Sequence, residues 1–228
     1  RRRSIQPITR HPRCHRRETL CVAIALGLVV LVTGVGRAAP ENPSGRDRRV
    51  AIAVTQFLNK DHLSHRQLDD QISQRWIHSF LESLDPRKLY FLQSDIDHFN
   101  QMENSLDNQI KMGDLSFAHD VYKVYLQRLE ERVPVIDKLI DAEHDFTVDE
   151  SIDTDFESRK YPRDAKEAEE RWRKQIKYDL LLQKASEVEA AEAAEKLHRR
   201  YRTFAQNKHQ VDSEELLEIY LTALTTAY

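Results

Sequence analysis

The sequence predicts an all-α fold, an irregular bundle of about seven helices that follows an N-terminal signal segment. After residue 45 the chain contains a single glycine, Gly113, and only three prolines, at positions 86, 134 and 162. Apolar residues recur at spacings of three and four, which is the period of an amphipathic helix. No alternating pattern of useful length predicts a β-strand. These observations together favour a helical domain at 48–228.

The first 39 residues are predicted to be a signal peptide or an N-terminal membrane anchor. Seven arginines precede an apolar run at 20–36, and Gly36 and Ala38 have the spacing that a signal peptidase prefers. The run is shorter than the roughly 20 residues of a membrane-spanning helix. Cleavage is therefore favoured, with an uncleaved anchor as the alternative, and either outcome predicts that the rest of the chain is exported. Residues 40–47 are interpreted as a polar linker.

Charge and cysteine content exclude several functions for the exported part. The leader holds eight arginines against Glu18, and the whole chain has a net charge of −3, so residues 41–228 carry −10. An acidic body argues against a nucleic-acid partner, because phosphate neutralisation needs a basic face. Both cysteines, Cys14 and Cys21, lie in the leader. The exported part therefore has no cysteine for a disulfide, a zinc site or thiol catalysis.

Two helices are predicted before the first proline. The first covers 48–60, and its expected buried face is Val50, Val54, Phe57 and Leu58. A capping-box pattern at 64–67 is expected to open the second helix. The apolar stripe of that second helix is Leu68, Ile72, Trp76, Ile77, Phe80 and Leu84. Pro86 is expected to end it.

Two more helices are predicted around Gly113. Ser94 or Asp95 is expected to cap the third helix, and Gly113 to close it. The inward residues of the third helix are Ile96, Phe99, Met102, Leu106 and Ile110. Asp114 or Ser116 starts the longest helix, whose inward residues are Val121, Val124, Tyr125, Leu129, Val133, Ile136 and Ile140. Pro134 removes one backbone donor from it, which predicts a kink or a break near 130–133.

The second half of the chain predicts three further elements. A capping-box pattern from Thr147 to Glu150 opens a short element to about Asp155, and 156–162 are irregular. A helix from Asp164 is expected to run on into 187–200, where strong helix formers give little apolar face beyond alanine. Its inward residues are Trp172, Ile176, Leu180, Leu181 and Leu182. A final helix begins at Asp212 or Ser213, with Leu216, Leu217, Tyr220, Leu221 and Leu224 inward.

No cluster of residues predicts a catalytic, cofactor-binding or metal site. His62 and His65 have the spacing of two metal ligands but lack the acid of a zincin motif, so a metal-dependent hydrolase has little support. The six scattered histidines, at 78, 98, 119, 144, 198 and 209, are interpreted as surface residues. The acidic cluster at 149–157 lacks the glycine and spacing of an EF-hand loop, which favours a solvated turn.

Serine and tryptophan residues have structural interpretations too. Ser64, Ser94 and Ser213 are expected to cap helices rather than act as nucleophiles, because the serines of the exported part lie away from glycine-rich turns, except for Ser44 in the linker. Trp76 and Trp172 are expected to anchor the core, since both continue apolar helical stripes. For the basic stretch around Trp172, an interface role is the alternative.

The link between the second and third predicted helices carries the most information. It contains four consecutive apolar residues, Leu89 to Leu92, so the link itself is expected to be buried. The stretch from Leu84 to Phe99 closely resembles a signature of the N-terminal domain of tail-specific, or carboxy-terminal processing, serine proteases of the bacterial periplasm. Further stretches follow in the family's order: Gly113–Leu115, Tyr125–Arg132, Phe146–Glu150, Trp172–Asp179 and Glu218–Tyr228.

This resemblance, over about 48–228, implies the function of a parent protein. Such proteases are endopeptidases for proteins with exposed apolar C termini; a PDZ domain binds the tail and a serine–lysine dyad cleaves. No position here matches those parts, so no catalytic residue is carried over, no cofactor is expected, and the chain is expected to end before them. The implied partners are its own PDZ and protease domains, protein substrates, and a lipoprotein adaptor or a second copy. A membrane contact is expected only through 20–36, if uncleaved.

A second hypothesis is kept open. The chain could be a stand-alone exported helical interaction module without enzymatic activity. In that case the alanine–glutamate helix at 187–200 would be its binding face.

Overall fold

The computed structural model describes residues 42–61 and 66–228, which form eight helices and no strand. The helices are α1 (Gly45–Asp61), α2 (Asp70–Leu84), α3 (Gln93–Asn100), α4 (Leu106–Lys111), α5 (Ser116–Ile140), α6 (Ala165–Ala185), α7 (Ala190–His209) and α8 (Ser213–Thr226). The all-α prediction is confirmed, with eight helices in place of about seven. Within these described residues, no helix is both long and apolar enough to span a membrane.

Aspartates cap three of the helices. The side chains of Asp69, Asp164 and Asp212 each accept a hydrogen bond from the backbone N–H three residues further on, at 2.8–2.9 Å. The caps of α6 and α8 are those that the sequence predicts. The predicted start of the second helix at 64–67 is wrong, because α2 begins at Asp70. Ser64 itself lies outside the described residues.

The two tryptophans anchor separate parts of the core, as predicted. Trp76 of α2 is fully buried, and its indole N–H donates to the carbonyl of Tyr220 on α8 at 2.9 Å. The two rings lie 4.3 Å apart between centroids. Trp172 of α6 is also buried, and its indole N–H donates to the carbonyl of Leu89 at 3.0 Å. Each tryptophan therefore joins its helix to a neighbouring segment through both packing and a hydrogen bond.

The predicted buried face of the first helix is half right. Leu58 is buried and Val54 packs partly buried against the core, but Val50 and Phe57 are 39% and 62% exposed, and Ala51 is buried instead. Small side chains face inward because α1 packs closely against α4 and α8. The closest approach is at Gly113, whose φ is +74° and where a Cβ atom would lie 3.0 Å from the Ile52 side chain. The glycine thus ends α4 and leaves room for α1.

The predicted third helix is two helices. α3 ends at Asn100, the chain turns, and α4 begins at Leu106. The intervening residues include asparagine and serine, which compete with helical hydrogen bonding. Met102 lies in the turn and is 37% exposed rather than buried. Asp95 caps α3 from inside its first turn, where its carboxylate accepts the N–H of Leu92 at 2.9 Å.

Several predictions about the later helices differ from the structure. α5 is continuous through Pro134, so the break predicted near 130–133 does not occur, and the alternative of a kink stays a prediction. The short element predicted at 147–155 is not helical. The helix from Asp164 stops at Ala185, because the chain turns at Glu187, which has a φ of +58°, before α7 begins. Leu181 and Leu182 are 43% and 46% exposed instead of facing inward.

Candidate functional site

The link from α2 to α3 is a buried loop organised by one carboxylate. Leu89, Tyr90, Phe91 and Leu92 are all buried, which confirms the prediction for this link. Asp85 accepts the backbone N–H groups of these first three residues at 2.9, 2.8 and 3.0 Å. We call residues 85–92 the Asp85 loop. The carboxylate satisfies three donors that the turn would otherwise leave unpaired in the core.

Buried charges around this loop are also held by backbone groups and rings. Lys88, with a φ of +49°, is 4% exposed. Its ammonium group donates to the carbonyl of Glu157 at 2.9 Å and lies 5.5 Å from the ring centroid of Tyr161. Burial raises the pKa of the Asp85 carboxyl, and the three backbone donors oppose that rise. These contacts fix the loop rather than prepare a reacting group.

An aromatic cluster covers the Asp85 loop. The ring of Tyr90 lies 5.4 Å from that of Trp172, 5.6 Å from that of Tyr125 and 5.9 Å from that of Phe204, between centroids. These rings come from α5, α6 and α7, so the loop is the point where the three helices meet. The pairs with Trp172 and Tyr125 are edge to face and the pair with Phe204 is stacked; aromatic pairs of these kinds add about 0.5–1.5 kcal/mol each beyond area burial.

A second buried carboxylate joins α6 to α7. Asp179 is 7% exposed and accepts hydrogen bonds from Gln175 at 2.9 Å and from the Tyr201 hydroxyl at 2.7 Å, and it also pairs with Arg200. Burial raises the pKa of the Tyr201 hydroxyl, and so does the nearby Asp179 charge. The hydroxyl therefore stays protonated and acts as a donor to the carboxylate.

The segment from α5 to α6, residues 141–164, is held in a different way. Its middle is fixed by Glu150, which pairs with Arg173 and Lys177 of α6. Hydrogen bonds from Arg173 and then Lys177 lower the pKa of Glu150 to about 2. The ammonium group of Lys177 also donates to the carbonyl of Val148 at 3.1 Å. The segment is thus attached to α6 by ion pairs and one backbone contact.

A groove of about 770 Å³ lies between this segment and α6. We call it the α6 groove. Its volume is in the range of ligand-binding pockets. The residues that line it are Arg87, Phe146, Thr147, Val148, Asp149, Glu150, Ile152, Thr154, Phe156, Lys174, Lys177, Tyr178 and Leu181. Sequence reasoning missed this groove, because Leu181 was assigned to the core face of its helix.

Two histidines that the sequence assigns to the surface are largely covered. The side chain of His209 is 4% exposed and lies 3.3 Å from Glu130. His198 of α7 bridges the carboxylates of Asp137 in α5 and of Asp141 directly after it, with its Nδ1 2.5 Å from Asp137 and its Nε2 2.8 Å from Asp141. Burial alone would lower the pKa of His198, but the hydrogen bonds with Asp141 and Asp137 raise it. The imidazolium therefore clamps α7 to the end of α5.

The remaining candidates do not assemble into a reactive centre. In 42–61 and 66–228, no group of three or more histidine, cysteine, aspartate or glutamate side chains could hold a metal ion. His62 and His65 lie outside the described residues. Ser94 is exposed, and the Ser213 hydroxyl donates to Asp47 at 2.9 Å, so neither serine is a helix cap as predicted.

Comparison with known proteins decides the family. A sequence model described as the tail specific protease N-terminal domain matches residues 54–228. The chain belongs to this family. A tail-specific protease of Haemophilus influenzae is 32% identical over 171 residues, which is 75% of this chain and 25% of that protein. The resemblance carried by the Leu84–Phe99 stretch is therefore confirmed, and the chain spans about a quarter of the length of the curated relative that it matches.

The family match places the geometry in context. The tail-specific protease N-terminal domain includes α2 to α8 and the second half of α1. Both the Asp85 loop and the α6 groove lie within it. Residues 1–53 precede the matched stretch.

Proposed function

We propose that this chain is the non-catalytic helical scaffold of a periplasmic tail-specific serine endopeptidase that acts on proteins with exposed apolar C termini. The observation that carries the proposal is the family match over residues 54–228, together with the printed name of the Haemophilus influenzae relative. Because the chain covers a quarter of that relative, binding of the substrate tail and peptide cleavage are assigned to domains outside this chain.

The use of buried polar groups supports a scaffold role. A serine–lysine dyad needs a lysine amine, held neutral by desolvation, beside a serine hydroxyl. Across the described residues, the lysine side-chain hydrogen bonds end on carboxylates or backbone carbonyls, as for Lys88, Lys111, Lys177 and Lys196. The buried carboxylates Asp85 and Asp179 likewise bind groups within the fold. These side chains serve the packing of helices.

The proposed location rests on the leader. Its arginines precede an apolar run at 20–36, and the residues that follow contain no cysteine. This arrangement is typical of an exported protein. An uncleaved run would tether the domain to the inner membrane, whereas cleavage would release it into the periplasm.

Sequencing the source gene downstream of the codon for Tyr228 tests the proposal. An in-frame continuation that encodes a PDZ domain and a serine–lysine pair is the expected result. A stop codon directly after Tyr228 would contradict it and leave a secreted helical protein without catalytic residues.

One observation favours the alternative of an exported interaction module, namely the open α6 groove. The helix at 187–200, which the sequence offered as the binding face, is a poorer candidate. The outer face of α7 carries ion pairs between Glu192 and Lys196 at 2.7 Å and between Glu195 and Arg199 at 3.4 Å. Pairs at this spacing are typical of a solvated helix surface.

A further inference from the structure

The α6 groove exposes apolar side chains that a solvated surface does not require. Eight large apolar side chains are exposed in the described part of the chain, and three of them, Val148, Tyr178 and Leu181, line this groove. They are 52%, 45% and 43% exposed. Clustered exposed apolar side chains in a concave site mark a binding surface more often than scattered ones do.

The position of these side chains on α6 shows that they do not belong to the core. The buried stripe of α6 includes Trp172, Ile176 and Asp179. Tyr178 and Leu181 lie two residues further along from Ile176 and Asp179, which is about 200° around a helix. They therefore project from the opposite face of α6, away from the aromatic cluster. The apolar character of this outer face is independent of the packing that holds α6 in place.

The charges of the groove differ from those of the rest of the domain. Glu150 and Lys177 neutralise each other, which leaves Arg87, Lys174 and Asp149 among the lining residues. Across the described residues, neither Arg87 nor Lys174 forms an ion pair with a carboxylate. The guanidinium group of Arg87 instead donates to Gln175 and lies 5.4 Å from the ring centroid of Phe156. With the Glu150–Lys177 pair neutral, Arg87 and Lys174 against Asp149 leave the lining with a net charge of +1, in a body whose net charge is −10.

We propose that the α6 groove binds a short segment of a partner protein that combines apolar side chains with acidic ones. Val148, Tyr178 and Leu181 would cover the apolar side chains, and Lys174 and Arg87 would pair with the carboxylates. The acidic side chains of the partner are inferred from charge complementarity. An acidic domain repels acidic peptides except where its surface is locally cationic, as it is at this groove. The proposal goes beyond the scaffold function and does not depend on catalysis.

Fluorescence anisotropy with the full 228-residue chain tests it. The probe is a fluorescein-labelled, end-blocked heptapeptide of sequence Glu-Leu-Asp-Phe-Glu-Leu-Asp. Two comparison peptides carry lysine at every acidic position or serine at every apolar position. Saturable binding of the first peptide, and binding at least about tenfold weaker for each comparison peptide, is the expected result.

Two pairs of variants locate the binding surface. Leu181→Asp is expected to weaken binding about tenfold or more, since it removes apolar contact and adds a like charge. Its control is Leu182→Asp, because Leu182 is 46% exposed on the same helix but does not line the groove. Lys174→Glu is expected to weaken binding about fivefold or more, and Lys123→Glu, on the exposed surface of α5, is the matched charge control.

The outcomes separate the possible occupants. Equal binding of the acidic and lysine peptides, or equal losses from Leu181→Asp and Leu182→Asp, would overturn the proposal. Absence of any binding by the acidic peptide would overturn it as well. Sedimentation that shows a concentration-dependent dimer, abolished by Leu181→Asp, would assign the groove to a second copy of this chain and would equally reject a partner peptide.

Discussion

Two connections in this domain are each held by a carboxylate, and they differ in what the carboxylate holds. In the Asp85 loop, a buried aspartate accepts three backbone N–H groups within six residues. In the segment at 141–164, an exposed glutamate, Glu150, pairs with side chains of α6. A buried carboxylate bonded to the backbone fixes the path of the chain, whereas a carboxylate that pairs with side chains near the surface contributes less stability, even though Lys177 itself is buried. The Asp85 loop is therefore a rigid part of the core, whereas the segment at 141–164 borders the open α6 groove.

The largest expected effect comes from Asp85→Asn. The NH2 group of asparagine is a hydrogen-bond donor and would replace one of the two acceptor oxygens of Asp85. At least one buried backbone N–H would therefore lose its partner. We expect the free energy of unfolding to fall by at least about 3 kcal/mol, as measured by urea denaturation. Asp97→Asn, on the exposed surface of α3, is the control and should change it by less than about 0.5 kcal/mol. Equal losses of unfolding free energy from the two substitutions would show that the hydrogen bonds of Asp85 do not stabilise the fold.

Trp172→Phe should have the next largest effect. It removes the indole N–H that donates to the carbonyl of Leu89 at 3.0 Å and leaves that buried carbonyl without this partner. We expect a loss of about 2 kcal/mol, from the hydrogen bond and the smaller ring together. Urea denaturation followed by circular dichroism measures it. An unchanged unfolding midpoint would show that the Asp85 loop does not depend on α6.

His198 predicts a dependence of stability on pH. Its folded-state pKa is raised by Asp141 and Asp137, while Arg202 of the same helix also contacts Asp137 at 3.2 Å. A raised pKa contributes stability that is complete below the unfolded value of about 6.5 and is lost as the pH rises through the folded value. The difference in unfolding free energy between the unsubstituted protein and His198→Gln should therefore shrink as the pH rises above 6.5. A difference that grows over this range would contradict the assignment.

Glu150→Gln should have the smallest effect on stability. The pair with Arg173 lies near the surface, and the buried Lys177 ammonium group keeps the Val148 carbonyl as a partner, so the free energy of unfolding should fall by less than about 1 kcal/mol. The segment it attaches to α6 should open more often, so chymotrypsin should cleave faster at Phe146 and Phe156. Glu143→Gln, in the same segment but without an ion pair to α6, is the control for proteolysis. A large drop in the midpoint would show that the segment is part of the core.

Local signals predicted the parts of the fold whose causes are local. Leu89 to Leu92 are too apolar for an exposed link, and their burial follows directly from composition. Asp164 and Asp212 precede helical patterns, and both are caps. The acceptor role of Asp85 was not predicted, because it depends on how the chain turns back through Lys88, a residue with positive φ.

The errors arise where distant contacts override a local pattern. Thr147 to Glu150 has the pattern of a capping box, but Glu150 pairs with cations 23 and 27 residues later in the chain. The α6 groove was missed because α6 carries apolar residues on two faces, and periodicity alone does not show which face meets the core. Trp172 defines one of these faces and Leu181 the other. The sequence gives no sign that α6 ends at Ala185, because no glycine or proline follows it. Glu187 has the positive φ that a glycine usually adopts at this position.

Native-state hydrogen exchange tests the central contrast between the rigid loop and the exposed segment most directly. The amides of Leu89, Tyr90 and Phe91 should exchange only through global unfolding, with a free energy equal to that from urea denaturation. The amides at 147–155 should exchange with a far smaller opening free energy. Exchange of the Asp85 loop amides at rates like those of 147–155 would contradict the account of a scaffold organised around Asp85.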